Sequence, residues 1–150
     1  MKWVTRRRIR VNRTATGWLI RRFLDPAAEF LFVEPADVVA IQAREGAIGF
    51  DAPGARYPHQ DELGRCSFEQ LVHERVGSDA SLRRLAAIVH GADFPEEIDA
   101  EPESAGLRAI SDGFPETSGN DAETLERALF LYDSLYAHLR GSTEVRRPRP

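Results

Sequence analysis

The chain has a single cysteine among its 150 residues, so an internal disulfide is excluded, and with it the cross-linked pattern of small secreted folds. No stretch approaches the roughly 20 apolar residues of a membrane-spanning helix. The charged start, MKWVTRRRIR, has no apolar signal segment of about 7–15 residues. These absences predict a cytoplasmic protein with no membrane insertion. No Walker loop, GxGxxG or GxSxG occurs, and no internal repeat or low-complexity block is present. The commonest phosphate-cradling and nucleophile-elbow readings are therefore excluded.

What is present is an ordinary globular composition. Hydrophobic residues make up 42% and charged residues 29%, enough to build one compact core at this length. The expected organisation is a single domain over residues 1–141 and a disordered tail over 142–150. The net charge of −4 conceals an asymmetry. Lys2, Arg6, Arg7, Arg8, Arg10, Arg13, Arg21 and Arg22 crowd the first 25 residues against Asp25 alone, whereas residues 92–126 carry many acids against Arg108. Such a dipolar chain either steers an anion toward its basic end or folds the two ends together and neutralises them.

The patterning predicts an α/β fold, mostly helical, with a small three-stranded βαβαβ sheet followed by four helices. KWVT (2–5), EFLFV (29–33) and AIGF (47–50) have strand length. Residues 6–17 read as a basic connection, and WLIRRFL (18–24) as a helix facing inward through Leu19, Ile20, Phe23 and Leu24. Asp25-Pro26 ends it. A helix over 35–45 opens near Pro35 and stops at Gly46. After the loop at 51–65, helices are expected over 68–76, 80–90 with Gly91 as stop, 103–112 and 122–140. The last has a capping box from Asn120 to Glu123, and Gly141 closes it.

The segment HQDELGRCSFEQLVHE (59–74) suggests a metal or redox site. Ser67 and Gln70 have capping-box spacing, which makes Ser67 the N-cap and Cys66 the apolar member of a hydrophobic staple. Glu69 then complements the helix dipole. On a helical wheel, Glu69 and His73 turn away from the apolar stripe of Phe68, Leu71, Val72 and Val76. His59 from the loop and Glu69 from the helix form an imidazole–carboxylate pair suited to zinc, manganese or iron. His90 sits where a helix C-terminus stabilises imidazolium. Alternatively, a bend at Gly91 aims His90 and Asp93 into the same cleft. Arg13, Arg21 and Arg22 around the first helix suggest an oxyanion site for a tetrahedral dianion. The alternative is solvated arginines paired with the acidic segment. The same basic end admits phosphate contacts with a nucleic acid, against an acidic overall charge and no recognisable nucleic-acid-binding motif.

Several stretches occur together in an order that resembles the ChrB-type chromate-resistance domain. They are KWVTR at the start, WLIRRFLDPAAEFLFV (18–33), GAIGFD (46–51), His59 with RCSFE (65–69), IVHGAD (88–93), Gly106-Leu107 with Ala109-Ile110, and YDSLYA (132–137). The resemblance runs from residue 2 to about 139. It implies a role in chromate resistance, in a stand-alone form without the N-terminal region of longer, chromate-sensing members. The family pattern reaches Arg13, Trp18, Arg21, Arg22, Asp25, Asp51, His59, Cys66, Glu69, Asp93, Tyr132 and Asp133; His73 lies outside it. Before Trp18 the chain departs: Asn12-Arg13 and Thr16-Gly17 stand where relatives read an acid-Arg pair and Cys-Pro. Cys66 is then the only thiol left for any chemistry on chromate.

Taken with the resemblance, the expectation is a ligand-sensing protein of the chromate or metal stress response. Its ligand is a divalent metal at His59 and Glu69 with Asp51, His90 or Asp93, or chromate or another oxyanion near Arg13, Arg21 and Arg22. The alternatives are a metal-dependent, redox-capable enzyme with an open coordination position, or a nucleic-acid-binding regulator. No feature of the sequence sets a homo-oligomeric state.

Overall fold

Three parallel strands anchor the molecule: β1 (Lys2–Arg6), β2 (Glu29–Val33) and β3 (Ile48–Gly49), ordered β2-β1-β3. The computed structural model describes residues 1–143, with side chains through Gly141. Along central β1 the side chains alternate between faces. Trp3 enters the main core, and Val4 enters a smaller one with Val38, Ala47, Ala52 and Ala55. Helix α2 (Val38–Glu45) covers the smaller core. It opens through a tight turn at Pro35–Asp37 and ends at Gly46, whose φ of 61° supplies the left-handed cap. The mostly helical α/β architecture with a three-stranded parallel sheet is as the sequence predicts.

The connection expected over residues 6–17 is instead largely helical. Helix α1 spans Val11–Leu19 and continues as a widened turn over Ile20–Leu24. Val11, Ala15, Trp18 and Leu19 form its apolar stripe, but Asn12, Thr14 and Thr16 are buried between them, and these polar residues mask the helical pattern in the sequence. Asn12 Nδ2 donates to Ser67 Oγ at 2.9 Å, the Thr16 and Ser67 hydroxyls meet at 3.1 Å, and Thr14 meets the Tyr132 hydroxyl at 2.8 Å. These bonds satisfy groups that would be costly to bury unpaired. Gly17 lets α1 approach the final helix: a Cβ there would lie 2.7 Å from Leu125 Cδ1. Trp18 fills the adjoining space, stacked on Phe68, with its Nε1 donating to Asp133 Oδ1 at 2.7 Å.

The expected later helices are present: α3 (Ser67–Leu71) with a widened turn over Val72–Val76, α4 (Ala80–Asp93), α5 (Ser104–Asp112) and α7 (Asp121–Thr143). A one-turn α6 (Phe114–Thr117) is added between the last two. Three boundaries differ from expectation. The N-cap of α3 is Cys66, not Ser67, because Glu69 rather than Gln70 reaches back, its Oε1 accepting from the Cys66 N–H at 2.9 Å. Gly91 does not stop α4; it permits close packing, since a Cβ there would lie 2.6 Å from Ser104 Oγ. Gly141 does not close α7, which continues through it to Thr143. Of the tail expected over 142–150, residues 144–150 lie outside the described residues.

The two ends of the charge asymmetry meet. Arg10 faces Asp112 at 3.8 Å, Arg21 pairs with Glu126 at 2.9 Å and Arg22 with Asp133 at 2.8 Å. No described helix is long and apolar enough to cross a membrane.

Candidate functional site

Strands of a parallel sheet deliver their carboxyl ends to one edge, where ligands of open α/β folds bind. Here that edge receives Arg6 from the end of β1 and Asp51 from the residues just after β3. Asp51 has φ 51°, a left-handed conformation uncommon outside glycine and adopted by aspartate more readily than by most residues. Its N–H donates to the Tyr57 carbonyl at 2.7 Å, and its own carbonyl accepts from Arg6 Nε at 2.6 Å. The carboxylate is buried between Arg6 Nη2 at 3.3 Å, Arg13 Nη1 at 3.7 Å and His59 Nδ1 at 2.6 Å. The hydrogen bond that His59 donates to Asp51 raises the half-exposed imidazole above its ordinary value, opposed by partial burial.

Helix α4 contributes the next group. Its last turn places Asp93 with Oδ2 3.7 Å from His59 Nδ1, buried and without a hydrogen-bond partner. Burial first, and the neighbouring Asp51 second, push the Asp93 carboxyl up to about 6, against the pull of His59, Arg13 and Arg6.

Beside this cluster lies a cavity of about 270 Å³ lined by Arg6, Arg8, Arg10, Val11, Asn12, Arg13, Asp51, Ala92, Asp93, Arg108 and Asp112. Five arginines thus face three aspartates. The first turn of α1 opens onto the same space, and helix-start N–H groups lack intrahelical partners. Arg8 also has a positive φ, 61°, so both non-glycine residues with left-handed backbone among those described line this cavity. The turn bearing Arg8 is held from behind: Asp121 accepts from the N–H groups of Arg8 and Ile9 at 3.0 and 2.9 Å. Arg13 is largely buried, donates from Nη2 to the Arg8 carbonyl at 2.8 Å, and keeps a buried Nε without a partner.

A second cluster lies one turn back on α4. His90 Nδ1 meets Glu69 Oε1 at 2.5 Å, and His90 Nε2 contacts Glu97. The two clusters flank Phe94, whose ring centroid lies 5.2 Å from that of His59 and 4.5 Å from that of His90.

The five residues expected at one metal centre therefore fall into two groups. Asp51, His59 and Asp93 gather among arginines, and Glu69 meets His90 elsewhere. Asp93 reaches His59 without a bend at Gly91, since α4 runs unbroken to Asp93, and His90 faces Glu69 and Glu97 instead of sharing that cleft. Glu69 turns its carboxylate toward His90, whereas His73 meets neither His59 nor His90 and lines a cavity it shares with Glu69 and a second one beyond. Arg21 and Arg22 do not join Arg13; they occupy the far end of the helix, paired with Glu126 and Asp133. Arg6, Arg8, Arg10 and Arg108 were missed. Arg108 carried a signal, as the lone base within the acidic segment; its Nη1 donates to the Ala92 carbonyl at 3.0 Å.

A short parallel sheet backed by helices, with a charged, arginine-lined cavity at its carboxyl edge, defines a small, mostly helical α/β domain. The profile of the ChrB C-terminal domain matches residues 3–139, and the chain belongs to that family, which is associated with chromate resistance. It is 37% identical over 138 residues to Protein ChrB of Cupriavidus metallidurans, an alignment covering 91% of this chain and 40% of that protein. The chain thus spans about two fifths of the relative's length. No solved structure matches.

Proposed function

We propose that this domain serves chromate resistance by binding a tetrahedral oxyanion, chromate or a mimic such as sulfate, in the cavity at the start of α1. The observation that carries this reading is the convergence of five arginines and a helix N-terminus on one space of about 270 Å³. Guanidinium forks and backbone N–H groups match the oxygens of a tetrahedral dianion. The constrained backbone of Arg8 and Asp51 holds the walls before a ligand arrives, which reduces the ordering cost of binding. Asp93, with its raised carboxyl value, takes up a proton as an anion enters and then donates rather than repels. Arg21 and Arg22 are matched one to one by Glu126 and Asp133, whereas in the cavity five arginines face only three aspartates, an excess of positive charge available to an anion.

Calorimetric titration of the chain with chromate, and with sulfate as competitor, tests the reading. Arg10→Gln combined with Arg108→Gln is expected to weaken chromate binding by at least ~10-fold, since hydrogen bonds to charged groups contribute ~1.5–3 kcal/mol each. Equal affinity in wild type and the double variant would sink the proposal.

A further inference from the structure

We propose that Cys66, Glu69 and His90 form a site for one divalent transition-metal ion of the zinc or cobalt type, separate from the oxyanion cavity. A sulfur, a carboxylate oxygen and an imidazole nitrogen from these three side chains lie within 4.8 Å of one another. Mixed sulfur, nitrogen and oxygen donors of this kind suit zinc, and cobalt as its spectroscopic substitute.

The local structure sets up these donors. The start of α3 places Cys66 as N-cap, and Glu69 folds back over it to accept the Cys66 N–H at 2.9 Å. The same Oε1 meets His90 Nδ1 at 2.5 Å from α4. Glu97 contacts the opposite ring nitrogen, Nε2. A carboxylate behind a ligating imidazole is the arrangement that fixes its tautomer and orientation at metal sites. Glu97 is therefore the positioning residue, and Nδ1 the donor.

Electrostatics separate this cluster from Asp51, His59 and Asp93. There, Arg6 and Arg13 already neutralise the carboxylate, and their charge opposes a dication. Among the described residues, the Glu69–His90 pair has no arginine as an ion-pair partner. Access exists on the α3 side, where Glu69 forms part of the wall of a cavity of about 520 Å³. Three protein donors leave a coordination position for water or a substrate, as at reactive rather than purely structural zinc sites. Cys66 is buried and burial holds its thiol protonated; on binding, the metal–sulfur bond replaces the S–H bond and the proton passes to solvent.

The test uses the full chain after chelation and dialysis, titrated with Co²⁺ and then with Zn²⁺. The expected result is one cobalt per chain with a thiolate-to-cobalt charge-transfer band, displaced by zinc. Cys66→Ser should remove the band. Glu69→Gln retains an oxygen to cap Cys66, so it preserves the helix start while weakening cobalt binding at least ~10-fold; Glu97→Gln should cost ~10–100-fold as an outer partner. Arg10→Gln should leave the cobalt titration unchanged. Absence of stoichiometric binding by wild type, a band that survives Cys66→Ser, or equal affinity in folded Glu69→Gln each overturns the proposal.

Discussion

His59 Nδ1 sits 2.6 Å from Asp51 Oδ1, so a loop histidine is tied to the one aspartate whose backbone is held left-handed, with φ 51°. The pair links the carboxyl end of β3 to the middle of the 51–65 loop and sets one wall of the site.

The pair predicts a pH dependence. Asp51 raises the folded-state value of His59 above 6.5, so the bond's contribution is complete below that value and is lost as pH rises through the higher folded value. His59→Asn should therefore melt below wild type at acidic pH, with the difference shrinking as pH rises above 6.5. Parallel thermal melts across that range check it; a constant difference would refute the charge contribution. His59 is half exposed, so solvent screens the effect.

Asp93, whose value is likewise raised, predicts a variant that also gains on wild type as pH rises. Its carboxyl rises from 3.8 to about 6 in the folded chain, so folding favours the protonated form. The stability that this provides is present below 3.8 and lost as pH rises to about 6. Asp93→Asn, neutral at every pH, should gain on wild type across that window and keep the gain at neutral pH. The shift sets an upper bound of ~3 kcal/mol at 1.36 kcal/mol per unit. Urea denaturation at several pH values measures it.

Gly91 separates helix propensity from packing. In an exposed helix Gly→Ala stabilises by ~1 kcal/mol. Here the new Cβ would meet Ser104 Oγ at 2.6 Å and the Glu97 carbonyl at 3.0 Å. Gly91→Ala should destabilise by ~1–3 kcal/mol, read as a lower denaturant midpoint. It should also displace Glu97 from His90.

Arg21 and Arg22 distinguish the arginine cluster expected along the chain from the one assembled in space. Both are paired far from the cavity, with Glu126 and Asp133. Arg21→Gln with Arg22→Gln should leave chromate affinity within ~2-fold, since surface pairs contribute only ~0–1 kcal/mol. A ~10-fold loss would return the binding site to that end of α1.

By itself the sequence determined the three strands, α2 with its Gly46 stop, and helices α3, α4, α5 and α7, because each carries local signals: apolar runs, proline, capping side chains and helical stripes. It also pointed to His59, Glu69, His90, Asp51 and Asp93 as chemistry-bearing side chains. Only the tertiary structure decided how they divide. Glu69 and His90 are 21 residues apart, and Asp51 and Arg6 45 apart, distances along the chain that no local periodicity encodes. Helix α1 escaped notice for a related reason: beside apolar Val11, Ala15, Trp18 and Leu19 it buries Asn12, Thr14 and Thr16, which look solvent-facing until Ser67 and Tyr132 supply the hydrogen bonds that make burial affordable. The start of that helix, once folded, is what gathers the dispersed arginines around a single cavity.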